Sequence, residues 1–157
     1  MKKKTKRIKL TPLPKLIKET DNIISKYVRM RDKRCVTPSE KCNNILQCSH
    51  LISRGKKAVR FDLKNCNCQC SYHNYLHRYE PQIYTRWWLN KYGEEAYNSL
   101  VERSLKLKKY KREELHAIQI ATKYLIEEQT DYKEGIESIQ RDIIEAGIKE
   151  HHKQKEK

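Results

Sequence analysis

The side chains able to bind metals are gathered in one stretch of this chain: all six cysteines and three of the six histidines lie between Cys35 and Arg78. Thiolates and imidazoles are the ligands that borderline-soft cations such as zinc take in tetrahedral sites. Cys70-Ser-Tyr-His73 is a Cys-x-x-His step that suits the distal half of such a site. Cys35 and Cys42, brought together by a loop turned at Pro38, supply the other half of a Cys3His tetrahedron. The six residues between them exceed the roughly two to four of common zinc knuckles, so Cys48 stands as a rival to Cys42. A structural Zn2+ on Cys35, Cys42, Cys70 and His73 is the expectation, against reduced thiols without metal or a disulfide framework.

These residues need elements to hold them. Thr11-Pro12 has the form of a helix start with a hydroxyl cap. Leu13, Leu16, Ile17, Ile23, Ile24, Tyr27 and Val28 then recur at near-helical spacing to about Asp32. Residues 48–54 and 58–63 predict a two-stranded ribbon turned at Arg54-Gly55-Lys56-Lys57, with Asn65 opening a loop. A helix from about Ser71 then carries His73, Asn74, His77 and Arg78.

Further helices are predicted from Pro81 to Tyr92, ending at Gly93, from Glu94 to about Leu105, and from about Arg112 to Gln129. Tyr84, Trp87, Trp88 and Tyr92 read as core, as do Ala96, Tyr97, Leu100 and Val101, and then Leu115, Ile118, Ala121, Thr122 and Leu125. Asp131-Tyr-Lys-Glu134 has capping-box spacing and opens a last helix striped by Ile136, Ile139, Ile143, Ile144 and Ile148. That stripe either folds back or meets another subunit. The expected organisation is a basic arm over 1–10, an N-terminal helix with the metal-bearing finger over 11–78, a helical part of the same domain over 79–130, and a helix with a charged tail over 131–157.

With 157 residues, 37% of them apolar, the chain has the length of one domain with an extension and a modest core, which a metal would supplement. The net charge of +15 is lopsided. Residues 1–80 hold 20 Lys/Arg against 6 Asp/Glu, and residues 81–157 hold 15 against 14. A one-signed field on the metal-bearing half is the footprint of a polyanion-binding face, since neutralising phosphates releases condensed counterions. Arg54, Lys56, Lys57, Arg60 and Arg78 are its expected phosphate contacts. No apolar run reaches the ~18 residues of a membrane span and no signal-like segment follows the basic start, so an intracellular protein is expected. In a reducing compartment the thiols favour metal over disulfides.

The order Cys35…Cys42, His50-x-x-x-Arg54, Arg60-Phe61-Asp62-Leu63-Lys64-Asn65-Cys66 and Gln69-Cys70-Ser-Tyr-His73-Asn74 resembles the HNH, or His-Me finger, endonucleases. Within them it is most similar to the phage NinG/Rap recombination nucleases, a likeness that extends through Tyr84…Leu89-x-x-Tyr92-Gly93-Glu94-Glu95 and Lys109-Tyr110 to about residue 125. Cys35-x6-Cys42 replaces that family's Cys-x-x-Cys, His73 replaces its last cysteine ligand, and Ser49 stands where glycine is usual.

The resemblance implies an α+β, mostly helical fold with a zinc-braced ββα-metal finger. It also implies a metal-dependent DNA endonuclease that cuts branched recombination intermediates in a phage-infected bacterial cell. His50 would be the general base, Asn65 would hold the loop that aims it, and Asn74 would ligate a catalytic Mg2+ or Mn2+. His77 would be a second ligand or a phosphate contact. Junction cutting implies two active sites, hence a homodimer, with the C-terminal helices as the contact. A non-catalytic zinc module that binds nucleic acid is the alternative from another class.

Overall fold

The computed structural model describes residues 10–127. Their order is α1 (Leu13–Asp32), β1 (Leu46–His50), a 3-10 turn at Lys57–Val59, β2 (Cys66–Cys70), α2 (Ser71–Leu76), α3 (Pro81–Tyr92), α4 (Glu94–Ser104) and α5 (Arg112–Glu127). The architecture is α+β and mostly helical, with one two-stranded antiparallel sheet among the described residues. Residues 1–9 of the expected basic arm and the expected helix over 131–157 lie outside the described residues.

α1 begins after Pro12 with no side-chain cap, so the expected Thr11 hydroxyl cap is not used; proline in the first turn lacks only an N–H that the helix leaves unpaired there. Its buried face, Leu16, Thr20, Ile24, Tyr27 and Val28, packs with Leu115, Ile118 and Leu125 of α5. Gln119 Nε2 reaches across that seam, donating to Thr20 Oγ1 at 2.9 Å and to the Leu16 carbonyl at 3.4 Å, which satisfies an amide that burial would otherwise penalise.

The ribbon differs from the expectation. β1 pairs with β2 in the register Leu46↔Cys70, Cys48↔Cys68 and His50↔Cys66, while residues 51–65 form the connection instead of a second strand. The cause is local hydrogen bonding. Asp62 Oδ1 accepts the N–H groups of Lys64 at 2.8 Å and Asn65 at 3.2 Å, turning the chain where 58–63 would have to stay extended. Cys66-Asn-Cys-Gln-Cys70, too polar to suggest a buried strand, is buried at every position. Its amides have partners that period-2 patterning cannot show: Asn67 Nδ2 donates to the Lys64 carbonyl, Asn67 Oδ1 accepts from Arg31, and Gln69 Nε2 donates to Thr37 Oγ1.

The end of α1 clamps this strand. Arg31 and Asp32 form a buried pair, with Arg31 also donating to the Leu63 and Cys66 carbonyls and Asp32 Oδ2 accepting the Cys68 N–H at 2.8 Å. On the other side, Leu51, Val59, Tyr84, Trp88 and Leu100 make a second apolar cluster beneath the connection. Trp88 Nε1 donates to the Lys64 carbonyl at 2.7 Å, and Arg103 of α4 pairs with Asp62. α3 and α4 therefore hold the loop between the strands from below. They meet at Gly93, whose φ of 84° and ψ of 166° belong to a region essentially reserved for glycine.

Candidate metal centre and adjoining cleft

Four chain segments converge on His73. Cys35 follows α1, Cys42 lies in the next loop, Cys70 ends β2 and His73 sits in the first turn of α2. Their ligand atoms all lie within 4.8 Å of one another. The three Sγ atoms surround a single ring nitrogen, His73 Nδ1, at 3.4 Å from Cys35, 3.4 Å from Cys42 and 3.1 Å from Cys70, and the Cys70 and Cys42 sulfurs are 3.9 Å apart. A tetrahedron with Zn–S and Zn–N bonds of ordinary length has S···N edges of about 3.6 Å and S···S edges of about 3.8 Å. The residues present therefore fit a structural metal such as zinc.

The surroundings favour that use. His73 Nε2 meets Ser39 Oγ at 3.0 Å, the kind of outer contact that fixes a ligating imidazole's orientation. Burial opposes the Cys70 thiolate, yet the backbone N–H groups of His73 and Asn43 bring its pKa down to about 6. Burial pushes the Cys35 thiol up, and a cation binding there would displace its proton to solvent. Cys48, the rival to Cys42, lies elsewhere, beside His50 and Cys66.

A cleft of about 680 Å³ opens on the sheet side of α2, lined by residues that include His50, Arg54, Asn74, His77 and Arg78. His50 Nε2 lies 3.0 Å from the Arg60 carbonyl, so Nε2 carries the proton and donates it. The lone pair is thereby assigned to Nδ1. Burial lowers the pKa of His50 below its ordinary value, outweighing the Arg60 carbonyl bond that raises it, so the ring is neutral near pH 7. Asn65 is wholly buried. Its Oδ1 accepts the Ile52 N–H at 2.8 Å, and its Nδ2 donates to the Ile52 and Val59 carbonyls, both at 2.9 Å. It braces the loop over which His50 is hung. Asn74 Nδ2 donates to Gln47 Oε1 at 2.7 Å, and its amide oxygen meets no donor among the described residues.

Two expected residues are differently engaged. His77 donates from Nε2 to the Leu51 carbonyl at 3.1 Å, while its Nδ1 is buried without a hydrogen-bond partner among the described residues, so Nδ1 alone keeps a lone pair. Arg60 holds Asp21 of α1 through two hydrogen bonds, which makes it a strut between α1 and the connection instead of a free phosphate contact. Arg54, Lys56, Lys57 and Arg78 are exposed; of these, Arg54 and Arg78 line the cleft. Ser25, Arg29 and Gln47 line it too and were missed. The available signal was the i, i+4 spacing of Ser25 and Arg29 on the polar side of α1, where Arg29 donates to Ser25.

A family model described as "Bacteriophage Lambda NinG protein" matches residues 1–133. The chain belongs to the NinG family. The matched span contains every residue of the NinG-family centre and cleft just described. No curated protein and no solved structure matches the chain. Among the described residues, no helix is long and apolar enough to cross a membrane.

Proposed function

We propose that this NinG-family chain is a metal-dependent DNA endonuclease of the His-Me finger type, acting in phage recombination on branched DNA. The observation that carries the reading is the neutral imidazole of His50. Its Nε2–H is committed to a backbone carbonyl, its Nδ1 lone pair is left over, and it lines the same basic cleft as Asn74. The β1–β2–α2 order, closed by the Cys35/Cys42/Cys70/His73 group, is the arrangement expected of a ββα-metal finger.

Each residue has a task that follows from its contacts. His50 Nδ1 accepts a proton from water aimed at phosphorus, and the Arg60 carbonyl stabilises the resulting imidazolium through the Nε2–H it already holds. Asn65 keeps the 51–59 segment fixed while this occurs. Arg29, Arg54 and Arg78 bring three cationic groups to the cleft, and no carboxylate is among its lining residues. The Asn74 amide oxygen is the ligand offered to Mg2+ or Mn2+, which when bound would supply charge stabilisation at the phosphate and leaving oxygen.

The test is cleavage of labelled four-way junction, nicked and linear duplex DNA by wild type and His50→Ala, with Mg2+, with Mn2+ and with chelator, after gel shift shows that both bind. Metal-dependent cutting by wild type and binding without cutting by His50→Ala is the expected result. Binding by both with cutting by neither would leave a zinc-containing nucleic-acid-binding module. Cutting by both would remove His50 as the base.

A further inference from the structure

Besides the Cys3His group, a second trio of soft ligands lies in the hairpin. Cys48 Sγ, Cys66 Sγ and a ring nitrogen of His50 are all within 4.8 Å of one another. The register explains why. His50 and Cys66 are directly opposed, and Cys48 lies two residues back on β1, so all three side chains emerge from the same face of the sheet. Cys66 is fully buried and anchored, its thiol reaching the same Arg60 carbonyl that His50 holds. Cys48 and His50 are half-buried and line the cleft. The trio thus has a buried floor in Cys66 and two ligands, Cys48 and His50, at the wall of the cleft.

We propose that Cys48, His50 and Cys66 form a second metal site, for a thiophilic cation such as Zn2+ or Cd2+, with its fourth position open to the cleft. Two thiolates and an imidazole are a donor set for such cations and a poor one for Mg2+ or Mn2+, which take oxygen. Three protein ligands and one open position define an exchangeable site, unlike the closed four-ligand group on His73. Binding releases the thiol protons. It has one unavoidable consequence for His50: a neutral imidazole has a single basic lone pair, and whichever nitrogen ligates the cation, that pair is no longer available to a proton. On the nuclease reading of His50 given above, the cation is therefore an inhibitor that binds at the base itself.

Cadmium titration of the full chain reads the site without reference to cleavage. Thiolate-to-metal absorption of wild type should rise through two equivalents of Cd2+. In Cys48→Ser it should stop at one, and Cys42→Ser should lose the other equivalent while keeping the Cys48 one. Two equivalents in Cys48→Ser would overturn the site. If the serine variants do not fold, 113Cd NMR of the wild type serves alone. It should show two resonances, each coupled to the ring protons of a different histidine, and a single resonance would overturn the site. In the cleavage assay with Mg2+, micromolar Zn2+ should abolish cutting by wild type and spare Cys48→Ser. Equal inhibition of the two, or activation by Zn2+, would overturn the inhibitory role. Failure of every protein to cut, with two cadmium equivalents in wild type, would reject the nuclease reading while the metal site stood.

Discussion

At His50 the chemistry we propose rests on a division of labour between two ring nitrogens. The Arg60 carbonyl fixes the tautomer, and burial keeps the ring neutral by penalising the imidazolium. A base with a lowered pKa is already deprotonated at neutrality and is lost only as pH falls through that lowered value. The rate of DNA cleavage should accordingly be flat from pH 7 upward through the neutral range and should fall about tenfold per unit in the acid limb, with a midpoint below the ordinary histidine value of about 6.5. A midpoint above that value in single-turnover assays would mean that another group is the base. The Asn65 amide is a different kind of residue, since every hydrogen bond it makes is to loop backbone. Asn65→Ala leaves the Ile52 N–H and the Ile52 and Val59 carbonyls without those partners. Denaturant unfolding should show a loss of about 1–3 kcal/mol, with cleavage lowered at temperatures where the variant is still folded.

Among the elements, the hairpin shows how local chemistry overrode a plausible pattern. The apolar and polar alternation of 58–63 suggested a strand, but the Asp62 carboxylate turns the chain there, and Trp88 and Arg103 hold that turn from α3 and α4. The strand that formed, Cys66–Cys70, is polar by composition and buried by its partners. The helices were legible because their signals are local. Pro81 and Gly93 bound α3 where they were expected to, and the buried face of α5 is the one its periodicity indicates. Gly93 also joins α3 to α4 in a backbone conformation that a side chain resists, with no neighbour within 4 Å of an added Cβ. Gly93→Ala should then cost about 1–3 kcal/mol from backbone strain alone, measured by urea unfolding. A neutral result would mean that the joint relaxes freely.

For the molecule as a whole, the Cys35/Cys42/Cys70/His73 group ties the end of α1, the following loop, the sheet and α2 together, next to a core of moderate size. Stripping zinc with a strong chelator at neutral pH should lower the melting temperature by at least about 10 °C, and re-addition of Zn2+ should restore it. Unchanged melting would reduce the group to a set of thiols. Under the proposed function, a hard divalent ion in the cleft would meet the Asn74 oxygen and, among the described residues that line it, no carboxylate. Such an ion needs anionic ligands, which leaves the DNA phosphates to supply them. Calorimetry should therefore detect Mn2+ binding in the presence of a non-cleavable DNA and none to the protein alone; tight binding without DNA would place the ion elsewhere.

The sequence by itself determined the side-chain chemistry: a basic half carrying all the thiols, a Cys-x-x-His step, and helices whose apolar periodicity and flanking proline and glycine are local properties of the chain. Tertiary structure decided which of the six cysteines belong together. Cys42 and Cys48 are equally available by spacing, and the pairing of β1 with β2 sets Cys48 opposite Cys68, next to His50 and Cys66, while Cys70 lies at the other end of the hairpin with Cys42 beside it. It also decided that Arg60 is spent on Asp21 and that His77 gives its Nε2–H to Leu51. The physical reason is common to these cases. A side chain's type sets what it can bind, but its free lone pairs and donors depend on neighbours dozens of residues away, and that placement follows from packing and strand register.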